Sequence, residues 1–317
     1  MFIKDLKVGE EVTAFYLVKS KNVKTSSANK PYIDFTLQDI TGEVNAKLWD
    51  AKGDLEALYN PGEIVKVQAS VTQWQQSVQL KIIKIRQSED SDQVDYDNFI
   101  PTAPIDAETM YNEILYYINK MDSADMKKLV LAVLESYKTE LLYYPAAKSN
   151  HHAIKSGLLY HIIRMLRSAE ALSGIYKNIN PDLLYAGVIL HDMEKINEMD
   201  ATEAGVVETY TKEGQLLGHI IMGIKRIDRI AEQLNVDSEL SLLIQHMILS
   251  HHYEPEFGSP KKPLIPEGEL LHYIDMIDAR MYDMNKALKD MDDEQFTDPV
   301  FVLDRRRLYK SKYSKSE

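Results

Sequence analysis

Cysteine is absent from the 317 residues. That excludes a disulfide framework and any thiolate metal site, so a bound metal would have to be held by nitrogen and oxygen. Long apolar runs are absent as well, and none approaches the roughly 20 residues needed to cross a bilayer. Charges interrupt Met1 to Lys7 too early for the apolar core of a secretory signal. No internal repeat or low-complexity tract is visible. A cytoplasmic protein without a membrane partner is therefore expected. The length suffices for two domains, each with its own core. The 27% charged and 44% hydrophobic residues are ordinary for a globular chain.

An overall basic excess is lacking too, since the net charge is −12. Its distribution says more than its sum. Residues 1–90 hold 12 basic and 12 acidic side chains, which leaves 25 and 37 for the rest. Carboxylates in the second part favour divalent cations and repel a polyanion, except where basic residues offset them. The final stretch, 305–317, reverses sign and mixes Arg305, Arg306, Arg307 and Lys310 with Tyr309 and Tyr313. It reads either as a frayed basic tail or as an arm on which Arg306 contacts a nucleic-acid backbone.

Residues 1–87 alternate in the strand manner over Glu11–Val18, Tyr32–Asp39, Glu43–Trp49, Ile64–Val71 and Val78–Arg86. Five short strands with Gly-bearing turns suggest a small barrel of the OB-fold kind. A helix is expected from Asp50 to Tyr59, and a polar, turn-prone stretch over 19–30 that includes Lys19, Lys21, Lys24 and Lys30. An acidic, proline-punctuated linker is expected over 88–105. From 106 the spacing becomes helical, predicting helices near 106–120, 123–142, 154–173, 181–193, 216–234, 238–251 and 266–289. Asn180-Pro181 marks one of their starts. The expected fold is an all-β OB-fold barrel (1–87) followed by an all-α domain over 106–304.

Five of the nine histidines fall into a series with carboxylates: His161, His191-Asp192, His219, His251-His252 and Asp275. Each alone reads most simply as a packing residue. The doublet says more, because a carboxylate at the end of the apolar helix 183–190 meets the unfavourable pole of the dipole and calls for a positive partner. Asp275 lies in another apolar helix, where an unpaired carboxylate is costly to bury; Asp278, one turn on, is its competitor. Jointly these residues suit one or two divalent ions for phosphate-ester hydrolysis, in which paired ions about 3.5–4 Å apart clamp attacking and leaving oxygens. One ion would take His161, His191, Asp192 and Asp275; the other would share Asp192 and add His219, His251 and His252. Lys195 reads equally as a surface lysine or as a group reaching the scissile phosphate. His246 and His272 read as structural.

His161, His191-Asp192 and Asp275 match the H…HD…D pattern of the HD-domain metal-dependent phosphohydrolases. The segments around His151-His152 and Gly157–His161, with Leu216-Leu217-Gly218-His219, Ile248–His252 and Phe257-Gly258-Ser259-Pro260, resemble the YhaM family of bacterial 3′–5′ exoribonucleases. The resemblance extends to the N-terminal barrel and the domain order. It departs at Ser156 and Glu194, where the family has glycine, and at Tyr160, where it has an acid. What it implies is an HD domain that removes nucleotides from the 3′ end of single-stranded RNA, and of single-stranded DNA as a further substrate. The products would be nucleoside 5′-monophosphates, with Asp192 and Lys195 in catalytic roles. Two ions are expected, manganese being favoured, while cobalt, iron or zinc also suit the ligand chemistry. A homo-oligomer is expected with it.

Tyr32, Phe35, Trp49, Trp74 and Lys30 are the barrel's candidate nucleic-acid contacts, with His151 and His152 beside the substrate approach. Tyr32 and Phe35 are an odd number apart, so at least one belongs to the core. Two other functions stay open at this level: hydrolysis of a free nucleotide, and an accessory nucleic-acid-binding protein with a vestigial metal site.

Overall fold

The computed structural model describes residues 1–26, 29–49, 57–74, 77–148, 152–289 and 291–314. The chain forms two compact units, 1–102 with 200–209, and 103–199 with 210–317. In the first, strands β1 (Glu11–Thr25), β2 (Pro31–Asp39), β3 (Gly42–Trp49), β4 (Ile64–Trp74) and β5 (Ser77–Gln87) close a barrel. Their order is β1-β2-β3-β5-β4, with β4 returning to β1 and only β3–β5 parallel. This is the five-stranded Greek-key closure of an OB-fold.

Alternate residues point inward, as the pleat requires. Val12, Ala14 and Tyr16 of β1, Ile33, Phe35 and Leu37 of β2, and Val65, Val67 and Ala69 of β4 share one core. Phe35 is 0% exposed. Its ring therefore has no face to offer a base, and the expectation that it contacts nucleic acid is overturned. The three-residue step from Tyr32 puts the two rings on opposite sides of the strand.

The polar stretch after Val18 differs from expectation too. β1 runs through it to Thr25, past an irregularity between Val18 and Ser20, pairing with β2 as far as Thr25↔Pro31. Backbone hydrogen bonds carry this extension while its side chains face solvent, so apolar alternation gave no sign of it. Lys19 and Lys24 are on the strand, ion-paired with Glu43 (2.6 Å) and Asp34 (2.5 Å). Most of the helix expected at 50–59 lies outside the described residues. The acidic segment after β5 is tied down through residue 100. Arg86 grips Asp92 with two hydrogen bonds (2.7 and 2.8 Å), and Phe99 and Ile100 are buried with Leu17, Ile64 and Val206.

The second unit is helical: α1 (Ala107–Lys120), α2 (Ala124–Ser136), α3 (Lys138–Leu141), α4 (Gly157–Ile175), α5 (Pro181–Leu190), α6 (Lys195–Glu198), α7 (Lys212–Leu234), α8 (Ser238–Ser250) and α9 (Pro266–Leu288). Side-chain caps start several of them. Asp106, Ser123, Asn180, Thr211 and Asp237 each accept from a backbone N–H of the first turn. Helix α5 is buried along Leu183–Leu190, the mark of a helix surrounded by others. It packs against α1, α2, α4, α8 and α9. At Gly187 the end of the Met247 side chain from α8 fills the space a Cβ would take.

There are also two short strand pairs: β6 (Met199–Ala201) with β7 (Val207–Tyr210), mostly within the first unit, and β8 (Gln295–Phe296) with β9 (Tyr309–Lys310) in the second. The basic end is thus folded back rather than frayed as far as Lys310. Leu303 and Leu308 are buried, and Lys310 Nζ donates to the carbonyls of Lys289 (3.4 Å) and Met291 (2.7 Å). A cation there meets the unfilled carbonyls at the end of α9. No described helix is long and apolar enough to cross a membrane.

Candidate metal centre

Five elements of the helical unit deliver the histidine–carboxylate series to one place. His161 comes from the middle of α4, His191-Asp192 directly follow α5, and His251-His252 directly follow α8. Asp275 and Asp278 lie one turn apart on α9. His219 belongs to α7, just past a kink where Gly218 takes φ +70°. Left-handed backbone of that kind favours glycine. Asp192 stands at the middle of the group. Its Oδ2 is 3.3 Å from His191 Nε2 and 3.9 Å from His161 Nε2, and its Oδ1 is 3.4 Å from His219 Nε2 and 3.8 Å from His251 Nε2. Asp275 Oδ1 is 3.3 Å from His161 Nε2. The predicted metal-ligand residues are brought together.

Each imidazole is held by its other nitrogen. Nδ1 of His191 faces the carbonyl of Val188 (2.9 Å), that of His251 the carbonyl of Ile248 (2.8 Å), and that of His252 the carbonyl of Phe257 (2.6 Å). His219 Nδ1 faces Glu198 Oε2 (3.0 Å) and His161 Nδ1 faces Asp278 Oδ2 (2.8 Å). An acceptor at Nδ1 fixes the hydrogen there and leaves the lone pair of a neutral ring on Nε2. Acceptors of this kind orient the histidines of metal sites.

Nε2 of His191, His219 and His251 and Oδ1 of Asp192 are buried and make no hydrogen bond among the described residues. They face one another lone pair to lone pair, which is unfavourable unless a cation lies between them. Asp192 with His219, His251 and His252 offers ligand atoms all within 4.8 Å of one another, as do His161, His191 and Asp192, and His191, His251 and Asp275. Nitrogen and oxygen donors in such sets can hold divalent ions, and the residues fit.

The electrostatics agree. Burial and the neighbouring imidazoles hold His251 well below the usual histidine range. Burial also pulls His161 down, but Asp275 and Asp278 override it and raise the ring to about 10; a cation at Nε2 would replace that proton. Burial opposes ionisation of Asp192, yet Lys195 and His191 keep its carboxyl well below the usual range. Lys195 Nζ is 2.6 Å from Asp192 Oδ2, the positive partner that the end of α5 called for.

Two residues, Asp278 and Glu198, matter more here than the sequence disclosed. Asp278 does not compete with Asp275: the two grip opposite nitrogens of the same His161 ring. Asp278 also accepts from His152 Nε2 (2.6 Å) and Arg164 Nε (2.6 Å). Glu198 takes both the backbone N–H of His219 (3.1 Å) and its ring, and nothing local marks it. His246 accepts from the Leu264 N–H (2.9 Å), while buried His272 donates to the carbonyl of His251 (2.8 Å).

The remaining predicted contacts divide. Trp49 and Trp74 are 41% and 64% exposed. Tyr32 is half-buried and stacks on Trp49 (centroids 4.5 Å). Lys30 and Arg306 are exposed, and Arg306 Nε donates to the Leu303 carbonyl (3.0 Å). His152 is 0% exposed. It serves Asp278 from inside, so its expected place beside the substrate approach is overturned. His151 lies outside the described residues.

The unusual residues find partners. Ser156 adopts φ +60° and donates to the Leu142 carbonyl (2.6 Å). Tyr160 lies under the Arg164 guanidinium (5.3 Å). Buried Glu194 accepts from Tyr137 Oη (2.6 Å) and Asn197 Nδ2 (2.9 Å), with Arg226 Nε 3.1 Å away.

Comparison with known proteins bears on the same residues. A family model described as HD domain matches residues 158–280. The 3′–5′ exoribonuclease YhaM of Bacillus licheniformis is 42% identical over 309 residues, covering 98% of each chain. That of Bacillus subtilis is 42% identical over 310 residues, again 98% of each. Among solved structures, a domain of replication protein A from Methanococcus maripaludis aligns at 22% identity and TM-score 0.25, over 28% of this chain and 94% of that one. The strand order β1-β2-β3-β5-β4 makes the barrel an OB-fold.

Proposed function

The chain belongs to the YhaM family of 3′–5′ exoribonucleases, and on that premise we propose that it shortens single-stranded RNA from the 3′ end, releasing nucleoside 5′-monophosphates. Single-stranded DNA would be a further substrate and the cytoplasm its compartment. The observation that carries the reading is the cage of inward-facing Nε2 and Oδ atoms around Asp192, each ring anchored from behind. We assign His161, His191, Asp192 and Asp275 to one divalent ion, manganese by preference, and His219, His251 and His252 to a second that shares Asp192. Such ions would supply Lewis acidity to the phosphodiester and lower the pKa of the attacking water.

The protein's own part is to set that geometry. Asp192 spans both ligand groups with its two oxygens. Lys195, half-buried and ion-paired with Asp192, brings a fixed positive charge beside the scissile phosphate. In the barrel, Lys47 Nζ lies 5.7 and 5.9 Å from the stacked rings of Tyr32 and Trp49. A cation beside exposed aromatic faces suits a single strand, each stacked base contributing about 1–3 kcal/mol.

5′-labelled single-stranded RNA incubated with manganese should yield a ladder shortening from its 3′ end, and a chelator should stop it. RNA retarded on a gel but left intact would favour an accessory binding protein. Turnover of mononucleotides alone would favour a free-nucleotide hydrolase. Trp49→Ala should weaken RNA affinity, measured by fluorescence anisotropy, by about ten- to a hundredfold while cleavage of a trinucleotide persists. Unchanged affinity would take the Tyr32–Trp49 face out of substrate binding.

A further inference from the structure

Two segments that supply imidazoles to the metal centre also carry exposed apolar side chains. Leu216 and Leu217, 73% and 41% exposed, immediately precede the Gly218 kink and His219. Phe257 is 67% exposed, yet its carbonyl is fixed 2.6 Å from His252 Nδ1. The turn that presents it is well tied. Phe257 N–H donates to the Glu254 carbonyl (3.0 Å) and Gly258 N–H to that of Pro255 (2.9 Å). The hydroxyl of buried Ser259 accepts from His252 N–H (3.1 Å). His219 and His252 have ring centroids 5.3 Å apart, and a Cβ at Gly258 would stand 3.3 Å from Ile220 Cδ1, so the two segments meet beside these imidazoles.

A single exposed hydrophobic residue is ordinary. What distinguishes Phe257 is a rigid attachment to a ligand imidazole while its ring is left in water. From this geometry, and resting on the exoribonuclease reading above, we infer that Phe257, with Leu216 and Leu217, seats the terminal nucleobase of the strand being cleaved. In a 3′-terminal phosphodiester the base is one sugar away from the phosphorus. A phosphate drawn to the imidazole–carboxylate cluster therefore brings that base to its rim. A phenyl face accepts any base by stacking, which matches an enzyme that must process every sequence. The leucines cover the apolar flank of the same base.

The test compares two single-stranded RNAs, identical except that one ends in adenosine and the other in an abasic ribonucleotide. Release of the terminal residue is followed at several concentrations. The wild type should favour the adenosine end by about ten- to a hundredfold in kcat/KM. Phe257→Ala should remove most of that preference, chiefly through KM, and Phe257→Tyr should restore it. Manganese affinity by calorimetry should match the wild type in both variants. A preference that survives Phe257→Ala overturns the inference and leaves the exoribonuclease reading intact. Lost manganese affinity also overturns it, by reassigning Phe257 to the support of His252. Failure of the wild type to shorten either RNA removes both readings.

Discussion

Asp192→Ala is expected to lower hydrolysis of single-stranded RNA by about a thousandfold or more while RNA binding persists. The size follows from position. Both Asp192 oxygens face imidazole nitrogens, Oδ2 towards His191 and His161 and Oδ1 towards His219 and His251. Deletion takes a ligand from each proposed ion at once. Lewis-acid stabilisation amounts to several kcal/mol, and each 1.36 kcal/mol is tenfold in rate. The substitution also strips Lys195, half-buried beside Asp192, of its counter-charge. Melting should therefore be followed in parallel, and Asp192→Asn, which keeps the shape, serves as the second variant. Both should bind RNA through the barrel, lose turnover and lose manganese affinity in calorimetry. Wild-type turnover in either variant would refute the assignment of Asp192.

Asp278→Asn should lower manganese affinity and turnover together, by about ten- to a hundredfold, the usual effect of losing the group that orients a metal-binding histidine. The carboxylate accepts from three donors, His152 Nε2, His161 Nδ1 and Arg164 Nε, at 2.6 to 2.8 Å. An amide has one acceptor oxygen, and its NH2 would be turned against some of these donors. Burial pushes the His152 ring down to about 4, so near pH 7 it is neutral and its Nε2–H is the hydrogen given to Asp278. Without that acceptor the His161 ring loses its fixed orientation although the residue itself is retained. Asp278→Glu should recover part of the affinity. A variant with wild-type manganese affinity and turnover would show that His161 needs no such support.

Much of this architecture was legible along the chain. Strand alternation and helical spacing depend on neighbours a few residues away, so five strands and the main helices were readable, and the Asn180-Pro181 start coincides with the cap of α5. The residues around Asp192 were legible for another reason. Polar groups embedded in apolar helices are costly, and their recurrence in a chain with so few histidines stands out. Less visible were features whose hydrogen bonds or contacts span long stretches of sequence. The extension of β1 to Thr25 rests on backbone pairing with β2, and Phe99 and Ile100 become a plug only beside Leu17 and Val206. Folding back of the basic end depends on Leu303, Leu308 and the carbonyls near the end of α9.

By itself the sequence determined which residue types occupy each face: alternating side chains for a barrel, the apolar run 183–190 of α5 for the centre of the helical unit, and nitrogen and oxygen donors in place of sulfur. Tertiary structure alone decided what each donor does. Orientation is a property of pairs of atoms, and a one-dimensional pattern holds no angles. Only with α4 and α9 in place does Asp275 prove to face one nitrogen of His161 and Asp278 the other, and only with α6 beside α7 does Glu198 face Nδ1 of His219. The same packing hides His152 and holds the backbone of Phe257 against His252 while its ring stays in water.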